Sequence, residues 1–368
     1  MLKKEKLSLL LILFFFSCVK PKKDYKALFD LTKAEKISYT GLENYLVDSS
    51  TFYQPDIIYL ETTESSLINL VDKLQVDSND LYILDKKAAK ILHFDIKGKY
   101  INQLHSIGKG PTEYGGIVDF LIDKVEKEIF VLCDIPYSIY VYDFDLKFKR
   151  AIKTDDLYLE MVLANDEIIC RKAPLHNNEL KDSFVDVLDR KTGKIKESLL
   201  PIVSDGDIEY KDIIYNKGTL LYTDYTGRPL ISIPDRNFVY GLNGDYKEKV
   251  KYTLKELQKE NRKGIYNFKE TKNYIFFQNN NLLSVIDKKK KTLTGFEYGI
   301  FNVKTTNATI NRLVPSNLQE GIVQVSYPEN IKKLQESIKD PKQNKMFMKF
   351  AEHIDVEQNP ILFLYVSK

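Results

Sequence analysis

LYILDKKAAKILHFDIKGKYI (residues 81–101) returns as IFVLCDIPYSIYVYDFDLKFKRAI (residues 129–152), and that return decides the fold. Phe94 aligns with Tyr142 and Leu81 with Ile129, an offset of 48 in both cases (142 − 94 and 129 − 81). Each copy reads as a strand, a polar turn, a strand ending in aromatic-Asp, a short turn and a further strand. That is one antiparallel sheet per repeat. Strand-built repeats of roughly 40 to 50 residues indicate a β-propeller.

Working outward, the ends of third strands mark the blades: HFD (93–95), VYD (141–143), VLD (187–189), VYG (239–241) and VID (285–287). Their last residues are 48, 46, 52 and 46 apart. Turn signals follow at Asp95 to Gly98, Asp189 to Gly193 and Asn243-Gly244, where glycine or asparagine accepts positive φ. A sixth unit is assembled from both chain ends. GIVQVSY (321–327) and ILFLYVS (361–367) supply two strands, and DIIYLE (56–61) supplies the outermost one. Closing the ring in this way removes the open seam. The expectation is an all-β, six-bladed propeller of four-stranded antiparallel blades, with seven blades as the alternative count. A helical insertion is expected at about 328–353, where Ile331, Leu334 and Ile338 fall at helical spacing and Pro341 interrupts the run before Met346, Phe347 and Phe350. Its modest apolar face suits packing on the propeller rather than membrane binding.

Composition agrees. The 368 residues are 43% hydrophobic and 12% aromatic, with 24 Tyr and 20 Phe, enough for a large core rich in strand formers. Net charge is +3, from 55 basic against 52 acidic residues, so nucleic acid has no electrostatic case as a partner. The histidines (His93, His105, His176, His353) show no metal-ligand spacing.

The first 17 residues read as an export signal. Lys3, Lys4 and Lys6 precede an apolar run from Leu7 to Phe16, too short for a stable transmembrane helix. Phe15-Phe16-Ser17-Cys18 resembles a bacterial lipobox, which implies cleavage before Cys18 and acylation of that residue; an ordinary signal peptide is the alternative. Residues 18–50 then form a tether and residues 51–368 the propeller. Basic residues after Cys18 (Lys20, Lys22, Lys23) lean towards an outer-membrane lipoprotein facing the periplasm rather than the cell surface. Cys133 and Cys170 read as two buried thiols on strands of neighbouring sheets, with a disulfide as the alternative in an oxidising compartment.

IGKGPTEY (107–114), together with the flanking FYQPDIIYLETTESSLI, VDFLID and NPILFLYVS, resembles the G-x-G-P-x-E-Y segment of six-bladed β-propeller lipoproteins of Gram-negative bacteria, a family related to NHL-type propellers. The resemblance spans about residues 50–368 and implies fold and location, without catalytic residues.

The propeller layout gathers the junctions between blades and the loops joining second to third strands on one rim. The candidate ligand-binding residues there are Lys109, Glu113, Tyr114, Tyr137, Arg171, His176, Arg236 and Arg262. Rings for stacking and charges for hydrogen bonds suit a glycan, a peptide or an envelope protein. A structural reading stands beside it. Gly108, Gly110 and Pro111 shape a turn needing positive φ, Glu113 accepts backbone N–H groups and Tyr114 packs between blades. An anion nest over Gly108 to Gly110 is a further reading, without the continuation of a phosphate loop. H-E-x-x-H and G-x-S-x-G patterns are missing. No catalytic residue, cofactor or metal site is assigned, although Asp155, Asp156, Asp205 and Asp207 are hard ligands that suit Ca²⁺. The leading expectation is a monomeric, non-catalytic, ligand-binding lipoprotein. The alternatives are a metal-dependent hydrolase or lyase working in the channel and a structural scaffold.

Overall fold

A computed structural model describes residues 34–44, 46–47, 51–173, 183–199, 218–233, 238–242, 248–254, 264–279, 282–297, 300–301, 313–339 and 345–368. The middle strands are near-continuous runs of buried residues, such as DLYILD (80–85) and EIFVLC (128–133), because each sheet buries both faces against its neighbours. Blade 1 comprises β5 (Lys73–Asp77), β6 (Asp80–Asp85), β7 (Lys90–Asp95) and β8 (Tyr100–Leu104). Blade 2 comprises β9 (Ile117–Asp123), β10 (Glu128–Cys133), β11 (Ser138–Tyr142) and β12 (Phe148–Lys153). Blade 3 comprises β13 (Tyr158–Ala164), β14 (Glu167–Lys172), β15 (Val185–Asp189) and β16 (Ile195–Leu199). The next two blades are β17 (Leu221–Thr223) to β20 (Glu248–Thr253) and β21 (Tyr266–Glu270) to β24 (Thr292–Phe296). Every pairing inside these blades is antiparallel.

Blade 6 closes the ring as expected. β26 (Gly321–Ser326) pairs with β27 (Ile361–Val366), and β27 pairs with β4 (Asp56–Tyr59), so the chain ends share one sheet. Its innermost strand is reduced to a bridge between Val314 and Val323. The helices α1 (Pro328–Ser337) and α2 (Lys345–Glu352) lie between β26 and β27 in sequence. Ile331, Phe347 and Ala351 pack with Phe52, Phe363 and Tyr365, so the insertion is docked on the propeller. Burying each large apolar side chain contributes about 1.5–3 kcal/mol.

The segment read as a tether is part of the folded body from residue 34. β1 (Glu35–Lys36) adds in parallel to the outer edge of β20, and β2 (Ser38–Glu43) does the same to β24. β3 (Leu46–Val47) pairs with β25 (Ile300–Phe301). Ala34, Ile37 and Leu46 each enter a different apolar cluster. This strap is polar overall and pairs with strands some 250 residues away, so local periodicity does not reveal it.

Two of the expected turn glycines have a steric reason. Gly98 (φ +90°) and Gly193 (φ +72°) follow the third strands of blades 1 and 3. A Cβ on Gly98 would lie 2.2 Å from the carbonyl oxygen of Tyr59, and one on Gly193 2.8 Å from that of Lys153. Each turn thus presses on the outer strand of the preceding blade, where only glycine fits. Asn243-Gly244 lies outside the described residues. Cys133 and Cys170 are buried free thiols on β10 and β14 of adjacent blades.

Candidate functional site

Six inner strands surrounding an axis present their channel-side backbone groups to one another, and polar side chains satisfy them from blade to blade. Asp119 accepts Lys73 Nζ at 2.7 Å and the Met161 N–H at 2.9 Å, linking blades 1, 2 and 3. Glu160 accepts the N–H groups of Leu220 and Leu221 at 3.0 and 2.7 Å, joining blade 3 to blade 4. Asn267 accepts the Thr219 N–H at 2.9 Å, and Gln278 accepts that of Leu313 at 3.1 Å. Asn317 bonds the N–H and C=O of Val76 at 2.7 and 3.0 Å, completing the circuit from blade 6 to blade 1. Leaving such buried groups unpaired would cost about 1–3 kcal/mol each.

Inside this ring is a cavity of about 200 Å³ lined by residues of all six blades. Its wall is uneven. Blades 2 and 3 contribute apolar residues alone, among them Leu121, Met161 and Leu163, whereas blades 5, 6 and 1 add Lys269, Ser316, Lys73 and Gln75 beside apolar residues such as Phe268 and Leu313. Strand periodicity sets this arrangement, since residues two apart share a face: Lys73 with Gln75, and Asn267 with Lys269. Among the described residues, no Asp or Glu lines the cavity.

The polar groups there differ in how fully they are engaged. Lys73 is ion-paired with Asp119, and Asn267 and Asn317 are held by the interblade bonds described above. Lys269 Nζ reaches only the Ser316 carbonyl oxygen, at 3.4 Å, and has no ion-pair partner among the described residues. Burial pushes its pKa down to about 8, against a smaller opposing influence of Glu320. The Ser316 hydroxyl is buried with no hydrogen-bond partner among the described residues.

The predicted rim divides differently. The junction after blade 1 and the second loop of blade 2 do share a face: Gly115 N–H donates to Ile135 O at 2.7 Å, and Thr154 N–H donates to Tyr137 O at 3.1 Å. Lys109 and Tyr137 are exposed there, beside exposed Ile107 and Ile135. Glu113 turns inward and accepts the Gly110 N–H at 2.7 Å, so its own carboxylate fills the anion nest. Neither Gly108 nor Gly110 adopts a left-handed φ. A Cβ at position 108 would meet the Glu113 carboxylate at 1.9 Å, so a larger residue there displaces that side chain from the Gly110 N–H. Tyr114 is fully buried, donating to Ala89 O and receiving the Ser106 N–H. Arg171 is buried against Glu160 at 2.6 Å and stacks over Phe184. Burial raises the Glu160 pKa, but the Arg171 charge and the two backbone donors outweigh it and hold the carboxyl below its usual range. Tyr114 and Arg171 are therefore interior residues rather than exposed rim residues, and Arg171 keeps Nε and Nη1 buried without a hydrogen-bond partner among the described residues.

His176, Arg236 and Arg262 lie outside the described residues, as do Cys18, Asp205 and Asp207. Asp155 is exposed, and Asp156 faces Lys172 at 3.7 Å. Among the described residues, no group of three or more His, Cys, Asp or Glu is placed to hold a metal. No described helix is long and apolar enough to cross a membrane. The channel residues Lys73 and Lys269 were not among the sequence candidates. The available signal was the alternation of polar residues in KLQVD and YNFKE, which an inner strand aims at the axis.

A closed ring of six blades around a partly polar axial cavity defines a six-bladed β-propeller. The chain belongs to the family described as Domain of unknown function (DUF4934), whose model matches residues 41–366. None of the curated proteins matches it in sequence. Among solved structures, a Bacteroides fragilis protein described as exported has a TM-score of 0.71 at 16% identity, covering 90% of this chain and 99% of its own. A DUF4221 family member from Bacteroides vulgatus gives 0.47 at 11% identity, covering 86% and 97%. A virginiamycin B lyase from Staphylococcus aureus gives 0.46 at 11%, covering 74% and 81%. The first of these supports the six-bladed fold; the weaker likenesses carry no argument about chemistry.

Proposed function

We propose that this protein is an exported lipoprotein that binds a ligand without transforming it, and that the axial cavity with its adjoining face receives that ligand. The observation carrying this reading is the uneven cavity wall, which offers a buried hydroxyl and a lysine without an ion-pair partner among the described residues, opposite the apolar residues of blades 2 and 3. Concave sites with a few convergent polar groups on an apolar lining are where ligands bind. Exposed Tyr137, Lys109, Ile107 and Ile135 give the face a contact surface for a larger glycan, peptide or envelope protein. The sequence likeness to NHL-type propeller lipoproteins and the lipobox ending at Cys18 support export and anchoring.

Catalysis in the channel is the second reading. It needs converging carboxylates or histidines for a metal, and the described lining supplies amides, hydroxyls and ammonium groups instead. Purified protein titrated against envelope glycans, peptides and membrane extracts is the direct test. Saturable binding with the ligand recovered unchanged is expected; ligand cleavage, or binding to nothing in these pools, would overturn the reading. Anchoring is checked by Cys18→Ala, which should move the protein from the membrane to the soluble fraction.

A further inference from the structure

We propose that the axial cavity selects a small organic oxyanion, a carboxylate or phosphate carried on a compact body with an apolar face, and that Lys269 is the residue that selects it. The inference rests on the ligand-binding reading above and sharpens it to a chemical class.

Position comes first. Lys269 reaches the Ser316 carbonyl at 3.4 Å, and the preceding Pro315 carbonyl accepts the Leu74 N–H at 3.0 Å. Blade 6's short inner segment is therefore flanked by the strand carrying Lys269 on one side and the strand carrying Lys73 and Gln75 on the other. The Ser316 hydroxyl between them is buried without a partner among the described residues, and Gln75 is a buried polar residue of the same cavity wall.

Charge points the same way. Each charged group facing this wall among the described residues can be assigned. Lys73 is neutralised by Asp119 at 2.7 Å, and Asp119 also accepts the Met161 N–H. Glu320 acts on Lys269 through its field, and the same carboxylate accepts the Lys272 N–H at 3.0 Å. A partly buried ammonium with no close counter-ion among the described residues is disfavoured, and an entering oxyanion supplies that counter-ion together with acceptors for the Ser316 hydroxyl and the Gln75 amide. Leu121, Met161 and Leu163 face it with an apolar surface that a ring or short hydrocarbon body covers. Both the polar and the apolar residues of the wall then find partners at once.

Calorimetric titration of the full-length protein with matched pairs tests this: benzoate against benzamide, glucuronate against glucose, and inorganic phosphate alone. The charged member of each pair should bind at least tenfold more tightly than the neutral one at pH 7. Phosphate binding with equal strength would place selection on the oxyanion alone; tighter benzoate or glucuronate would assign part of it to the apolar wall. Lys269→Met should abolish the preference, whereas Lys290→Met on the exposed surface should leave it unchanged. In the wild-type protein, oxyanion affinity should fall about tenfold between pH 7 and 9 as Lys269 loses its proton, which tests the idea even if the variant fails to fold. Equal binding of charged and neutral partners, or undiminished binding by Lys269→Met, overturns the inference while leaving ligand binding intact. Failure of these probes and of every envelope glycan and peptide overturns both.

Discussion

Arg171 in blade 3 and Lys269 in blade 5 are both cations enclosed by the propeller, and their surroundings differ. Arg171 sits 2.6 Å from Glu160, whose other oxygen caps two N–H groups of blade 4. Lys269 has one distant carbonyl. In the first, the Glu160 carboxylate is fully engaged and holds blades together, although Arg171 Nε and Nη1 are buried without a hydrogen-bond partner among the described residues; in the second, the ammonium borders a cavity with no ion-pair partner among them. What separates the two cations is the counter-ion: a charge paired with a buried carboxylate is held in place, whereas one without such a pair at a cavity wall can take a ligand.

The largest expected effect breaks the paired side. Glu160→Ala strands the Arg171 charge and two backbone donors, and should cost about 3–5 kcal/mol in urea unfolding. A loss below about 1 kcal/mol would mean that Arg171 is no more engaged than Lys269. Gly98→Ala comes next, since its left-handed φ and the Tyr59 carbonyl both oppose a Cβ. Thermal unfolding should report about 1–3 kcal/mol of destabilisation.

Glu128 gives a pH-dependent version of the paired arrangement. Bidentate bonds from Arg150 at 2.6 and 2.8 Å, with Lys149 at 2.7 Å, hold its carboxyl down at about 2, from an ordinary 4.5. The stabilisation is therefore complete above pH 4.5 and is lost as pH falls through about 2. Glu128→Gln should cost about 1–2 kcal/mol at pH 7, a value reduced by the partial exposure of both cations, with the difference from wild type shrinking below pH 4.5. Lys269→Met should show the smallest change and the opposite pH trend. Burial disfavours the folded ammonium, so between pH 8 and 10.5 the unfolded chain binds more protons and wild-type stability rises relative to the variant. Denaturation at pH 7 and 10 measures this; a flat difference would show that Lys269 is not penalised by its surroundings.

The blades were readable because HFD, VYD, VLD and VID repeat the same local alternation, and local alternation is what strands impose. The seal between Asp56–Tyr59 and Ile361–Val366 followed from the need to close the ring. The rim was harder. Tyr114 and Arg171 belong to residue types that bind ligands, yet their burial depends on how adjacent blades stack, which no single repeat encodes. Lys73 and Lys269 escaped for the complementary reason: a lysine in a strand reads as solvent-facing unless that strand is known to be innermost.

The strap of residues 34–47 also bears on the order of assembly. Its partners lie far along the chain, Glu35 opposite Tyr252 and Ser38 opposite Thr292. During synthesis or translocation this stretch emerges early and must wait, with its backbone groups hydrated, until more than two hundred further residues have arrived. Docking it is therefore a late event, and a ring that has not finished folding carries bare edges on its fourth and fifth sheets that other chains can pair with.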